Sequence, residues 1–162
     1  MKYSSHSKLA LIALTLASSF ATSGALADYR LTAFSGTVGF KALVSEDLST
    51  AKSAFASRSL ERMDYFEANN LCVAQILLEE LEAAITSCSS AIEKADSSSE
   101  LTVRNEKVAL ASVYSNLGVA KAMTGDTAGA STDLEMALSL NKRDGNASIN
   151  YDLISTNLVA GS

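Results

Sequence analysis

Five side chains stand out as able to do chemistry or bind something: Cys72, Cys88, Asn70, Asn116 and Asn150. Two cysteines sixteen positions apart can close a disulfide. Alternatively, they can remain two buried thiols filling small positions. A redox role has little support, because the pair lacks the Cys-x-x-Cys spacing and has no cationic neighbour to lower a thiol pKa. An asparagine amide both donates and accepts, so it can hold a peptide backbone whatever side chains that backbone carries. Glu79, Glu80 and Glu82 form an acidic cluster that could attract a cation. They also stand at an expected helix start, where carboxylates are ordinary. The sole histidine is His6, near the amino terminus. The rest of the chain therefore lacks the base of Ser-His-Asp and Cys-His catalysis and the imidazoles of common zinc sites. No Gly-rich phosphate loop is present. No enzymatic activity, metal or cofactor is expected.

The first 27 residues have the layout of an export leader. Lys2, His6 and Lys8 form a basic start, residues 9–17 (LALIALTLA) an apolar run too short to span a bilayer, and Ala25–Leu26–Ala27 a small-x-small cleavage signal. Cleavage is expected between Ala27 and Asp28, in a bacterial export system. A retained membrane anchor is the alternative. The periplasm is the expected destination, with release to the medium as the second possibility. Residues 1–27 hold two Lys and no acid, so without them 11 basic residues face 18 acids, a net charge of −7 over 135 residues. That size fits one domain. The acidity argues against nucleic acid and anionic membrane surfaces as partners.

The elements that must position the cysteines and asparagines follow from a repeated layout. Asn70-Leu71-Cys72 aligns with Asn116-Leu117-Gly118. Twelve residues on stand Ala84 and Ala130, four further Cys88 and Leu134, and three further Ala91 and Ala137. A weaker copy runs from Val38-Gly39 through Ala51 to Phe55, and is broken at Arg58. Asn150 lies 34 residues after Asn116. Self-similarity at such a period marks a helical repeat. Leu81, Ala84, Ile85, Cys88, Ala91, Ile92 and Ala95 recur at three-and-four spacing, the stripe of a helix packed on one face. Gly39, Cys72 and Gly118, opposed by Ala51, Ala84 and Ala130, allow two antiparallel helices to approach closely. Gly125 suits the left-handed end of one helix and Asp126 the cap of the next, with Asp47 and Glu80 in the equivalent places. Lys142 and Arg143 close the last repeat before Asp144-Gly145. The absence of Pro and the abundance of Ala and Leu agree with an all-α domain.

These residues resemble the tetratricopeptide repeat family: Asn-Leu-Gly, a Gly-Asp turn, then Ala, Leu and Ala at set spacing. Every copy lacks the family's closing Pro, and Cys72 and Glu79-Glu80 depart from the usual Gly and Gly-Asp. The expected architecture is a short superhelix of antiparallel hairpins. It comprises a degenerate repeat at about 32–64, repeats at 65–98 and 99–144, and a capping helix at 146–159 with Ile149, Leu153, Ile154 and Leu158 on one face. The second and third copies lie 46 residues apart. The extra residues are absorbed either by longer helices, one to about Ala95 and one from a capping box at Ser97–Glu100 to Thr124, or by a linker. Residues 28–45 are left as either a repeat helix or an extended arm.

The resemblance implies a concave groove for an extended peptide. The first helices would line it with Phe66, Asn69, Asn70, Val73, Ile76 and Leu77, and with Ser112, Ser115, Asn116, Val119, Ala122 and Met123. Gly36, Ser112 and Asn116 stand where the family's carboxylate clamp needs Lys and Arg, so that specialisation is not expected. The implied function is a non-enzymatic interaction module binding a segment of another protein. The alternatives are a self-associating envelope protein, and a groove filled by the carboxy-terminal helix, whose asparagines satisfy nearby backbone or each other.

Overall fold

The computed structural model describes residues 11–14, 29–96 and 103–160. The expected cleavage site at Ala27 and the capping box at Ser97–Glu100 lie outside the described residues. The described chain is all-α apart from a two-stranded sheet. Strands β1 (Leu11–Leu14) and β2 (Leu31–Phe34) are followed by α1 (Phe40–Val44), α2 (Leu48–Ala56), α3 (Tyr65–Leu77), α4 (Leu81–Asp96), α5 (Val103–Thr124), α6 (Thr127–Leu140) and α7 (Gly145–Ala160).

Three helix hairpins share one turn. Gly125 ends α5 in the left-handed region at φ 88°, and Glu46 and Glu79 take the same conformation at φ 57°. In each case the residue after the left-handed one donates its N–H back across the turn: Asp47 to Ala42 O, Glu80 to Gln75 O and Asp126 to Lys121 O. These bonds satisfy the carbonyls that a helix end leaves open. The caps follow the sequence. Asp47 accepts from Thr50 N and Asp126 from Gly129 N. Asp64 forms a capping box with Glu67 at the start of α3.

Hairpin α3/α4 packs on α5, and α5 on α6, with α7 closing the stack. The stripe foreseen for α4 is the inward face: Ala84, Cys88, Ala91 and Ala95 are buried, with Leu81, Ile85 and Ile92 partly so. Cys72 and Cys88 form a disulfide with Cα atoms 5.3 Å apart. The additional residues between copies lengthen the helices, since α4 reaches Asp96 and α5 runs from Val103 to Thr124.

One open alternative is resolved and one expectation needs correction. The degenerate first copy has no full first helix. Gly36 and Gly39 hold φ of 82° and 78°, outside the helical region, so the chain before Phe40 stays irregular and residues 31–34 are a strand. Arg58, where the repeat pattern breaks, lies beyond the end of α2 and pairs with the nearly buried Glu67 carboxylate. The face of α7 is also rotated from the one foreseen. Ile154 is buried as foreseen, but together with Ala147 and Asn150, whereas Ile149 is 43% exposed and Leu153 half-buried; the Leu158 side chain lies outside the described residues. Asp144 caps this helix by accepting from Asn146 N and Ala147 N.

Candidate functional site: an asparagine ladder around a seated strand

Strand β2 lies against α3 and α5, and all four of its residues are buried. It is Leu-Thr-Ala-Phe, continuous with Tyr29 and Arg30. Three asparagines hold every second residue of this segment. Asn70 Oδ1 accepts from Phe34 N and Asn70 Nδ2 donates to Phe34 O, both at 2.8 Å. Asn116 does the same for Thr32, at 3.0 and 2.8 Å. Asn150 does the same for Arg30, at 2.8 Å each. Each carboxamide thus stands in for a peptide group of a neighbouring strand, exchanging two bonds with one residue as in an antiparallel sheet.

Position explains why these three act together. Asn70, Asn116 and Asn150 occupy equivalent places on α3, α5 and α7. Their successive clamps fall two strand residues apart, where backbone groups point to the same edge. All three are fully buried. Supporting bonds fix their orientation. Asn69 Nδ2 donates to Thr32 O at 2.9 Å, and Asn116 Nδ2 to Asn69 Oδ1 at 2.8 Å. Asn150 Nδ2 also donates to Ser115 Oγ. Asn70 Nδ2 reaches Thr37 Oγ1, and Thr37 Oγ1 in turn donates to Phe34 O. The side chains of β2 find their own seats. Phe34 meets Phe66 edge-on at a centroid distance of 4.9 Å, and Asn146 Nδ2 donates to Thr32 Oγ1 at 2.9 Å.

The face foreseen as a peptide groove is therefore assembled, and it is already filled. Asn69, Asn70, Val73, Ile76, Ser112, Ser115, Asn116 and Val119 are fully buried, and Phe66, Leu77, Ala122 and Met123 remain half-buried. The occupant is the chain's own amino-terminal segment. The carboxy-terminal helix does not cover the face, because α7 is one of its walls. Sequence reasoning missed Asn69 and Asn146 as partners of Thr32, and left the strand as one of two readings, an extended arm or a repeat helix. The available signal was Tyr29–Phe34, a short run rich in strand-forming residues, ended by Ser35-Gly36.

The second edge of β2 carries β1. The strands are antiparallel, pairing Leu11 with Phe34, Ile12 with Ala33, Ala13 with Thr32 and Leu14 with Leu31.

Elsewhere the described side chains offer little chemistry. Burial pushes the Asp133 carboxyl above its ordinary range, partly offset by the Lys121 ammonium at 2.7 Å. Hydrogen bonds from Thr50 hold Asp47 below that range. Among the described residues, no group of three His, Cys, Asp or Glu could hold a metal ion, and no helix is long and apolar enough to cross a membrane. No family model, curated protein or solved structure matches this chain.

Proposed function

We propose that this chain is a non-enzymatic protein-interaction module, in which the face built by α3, α5 and α7 holds the chain's own β2 and presents that strand to an extended segment of another protein. The supporting observation is the asparagine ladder, which grips β2 by one edge at two-residue intervals and leaves its other edge for strand pairing. A surface of this kind is suited to extended chain. The resemblance to tetratricopeptide repeats points the same way, and the leader-like residues 1–27 support an encounter in the bacterial periplasm.

The test is photo-crosslinking in cells from the half-buried rim of the face. A photoreactive residue at Leu77 or Met123 should capture a distinct partner, while one at Met136, which is 43% exposed on α6, should not. Equal capture from all three positions would move the site away from this face. Capture of nothing but a second copy would make the protein a self-associating structural element.

A further inference from the structure

The ladder uses one edge of β2. Arg30, Thr32 and Phe34 direct their main-chain N–H and C=O toward the asparagines. Backbone groups alternate along a strand, so those of Leu31 and Ala33 face the opposite edge. Along that edge run Leu11–Leu14, in antiparallel register with Leu14 beside Leu31 and Ile12 beside Ala33. The strand on this edge comes from the stretch that the sequence marks as a removable leader. Its loss would leave the Leu31 and Ala33 main chain facing outward on a strand otherwise packed in the core, where Leu31 is 2% and Ala33 1% exposed. An unpaired edge of this kind is a template for another strand.

The seated segment also indicates what the edge accepts. Leu-Ile-Ala-Leu carries no charge, and its backbone register sets Leu11, Ile12, Ala13 and Leu14 beside Phe34, Ala33, Thr32 and Leu31. The remaining chain has a net charge of −7, which disfavours acidic segments. Building on the interaction-module reading above, we infer that the outer edge of β2 is a strand-addition site. It takes a short, uncharged aliphatic segment of another exported protein, laid antiparallel in the register that Leu11–Leu14 holds.

The experiment uses the protein without residues 1–27. In this form, circular dichroism should show the helical spectrum of α1–α7 before any titration begins. The probe is a synthetic peptide covering residues 8–17 with solubilising lysines at both ends. Titration followed by amide NMR should move the Leu31 and Ala33 resonances more than that of Thr32. N-methylation of the peptide at Ile12 or Leu14 should weaken binding about tenfold, the cost of one lost hydrogen bond, while N-methylation at Ala13 should leave it nearly unchanged. Ala33→Pro, which removes an edge donor and leaves the asparagine clamps in place, should weaken binding similarly. Absence of saturable binding would overturn the inference, as would indifference to the position of the N-methyl group. A dimer that forms through this edge without peptide would also overturn it. If the peptide fails while Leu77 and Met123 still crosslink a partner in cells, the ligand class is wrong and the interaction face stands. If both fail, both readings fall.

Discussion

Cys72 and Cys88 form, as a covalent bond, the contact that Gly118 and Leu134 make by packing in the next hairpin. Each pair is sixteen residues apart, and each joins the first helix of a hairpin to the second. The cysteines are bonded with Cα atoms 5.3 Å apart. A Cβ added to Gly118 would lie 2.8 Å from Leu134 Cγ and 3.1 Å from Ala130 O. Gly39 and Phe55 repeat the relationship in the first hairpin, where an added Cβ would lie 2.5 Å from the ring. The fold therefore needs a small residue at this place, matched to what stands sixteen positions later. Gly118→Ala should destabilise the protein by about 1–3 kcal/mol, the usual cost of overpacking. The double substitution Gly118→Cys/Leu134→Cys should form a second disulfide, seen as the loss of two free thiols in the intact mass.

The native disulfide should contribute about 3 kcal/mol through its sixteen-residue separation. Cys72→Ala/Cys88→Ala is the appropriate comparison, because both sites are fully buried and serine would bury two hydroxyls. A guanidinium midpoint lowered to match that loss is expected. Reductant should act slowly under native conditions, because neither sulfur is open to solvent. Rapid reduction without unfolding would contradict this.

The asparagine ladder makes a graded prediction. Asn70→Ala and Asn116→Ala each remove a donor and an acceptor from buried strand backbone, and should cost about 2–4 kcal/mol. Asn150→Ala should cost less, since Arg30 is only half-buried and water can replace the amide. In hydrogen exchange, protection of the Phe34 and Thr32 amides should fall most in the Asn70 and Asn116 variants respectively. Equal, small effects at all three positions would mean that the strand is held by its side chains alone.

Glu46 carries a side chain where the equivalent turn of α5/α6 has Gly125. The left-handed conformation costs a non-glycine residue about 1–2 kcal/mol, part of which glycine returns through its freer unfolded state. Glu46→Gly should therefore raise stability by about 0.5–1 kcal/mol, measured by chemical denaturation.

Asp133 sets a pH dependence. Burial raises its carboxyl above the unfolded value, with Lys121 opposing the shift. The folded chain then binds the proton more tightly than the unfolded chain. This group's contribution to stability declines as pH rises from the ordinary carboxylate range through the raised value. Asp133→Asn should flatten that part of the pH–stability curve and leave neutral-pH stability equal or higher. A steeper curve in the variant would reverse the assignment.

The sequence by itself determined what depends on neighbours along the chain. The α4 stripe, the Gly125–Asp126 turn, the long α5 and the facing of Cys72 and Cys88 all follow from spacings of three to sixteen residues. Helical geometry converts such spacings directly into shared faces. Only the tertiary structure decided what the asparagines hold. Phe34, Thr32 and Arg30 lie 36, 84 and 120 residues from Asn70, Asn116 and Asn150. No local period links a strand to clamps that distant. The orientation of α7 was settled the same way. Ile154 reads equally as part of a stripe with Ile149, Leu153 and Leu158, or of one with Ala147 and Asn150. The second faces inward, with Asn150 bonded to the Arg30 backbone and Ala147 and Ile154 packed against α6 residues Ala130, Leu134 and Ala137. A polar residue gains from burial only when a partner waits for it, and that partner is visible only once the chain has folded.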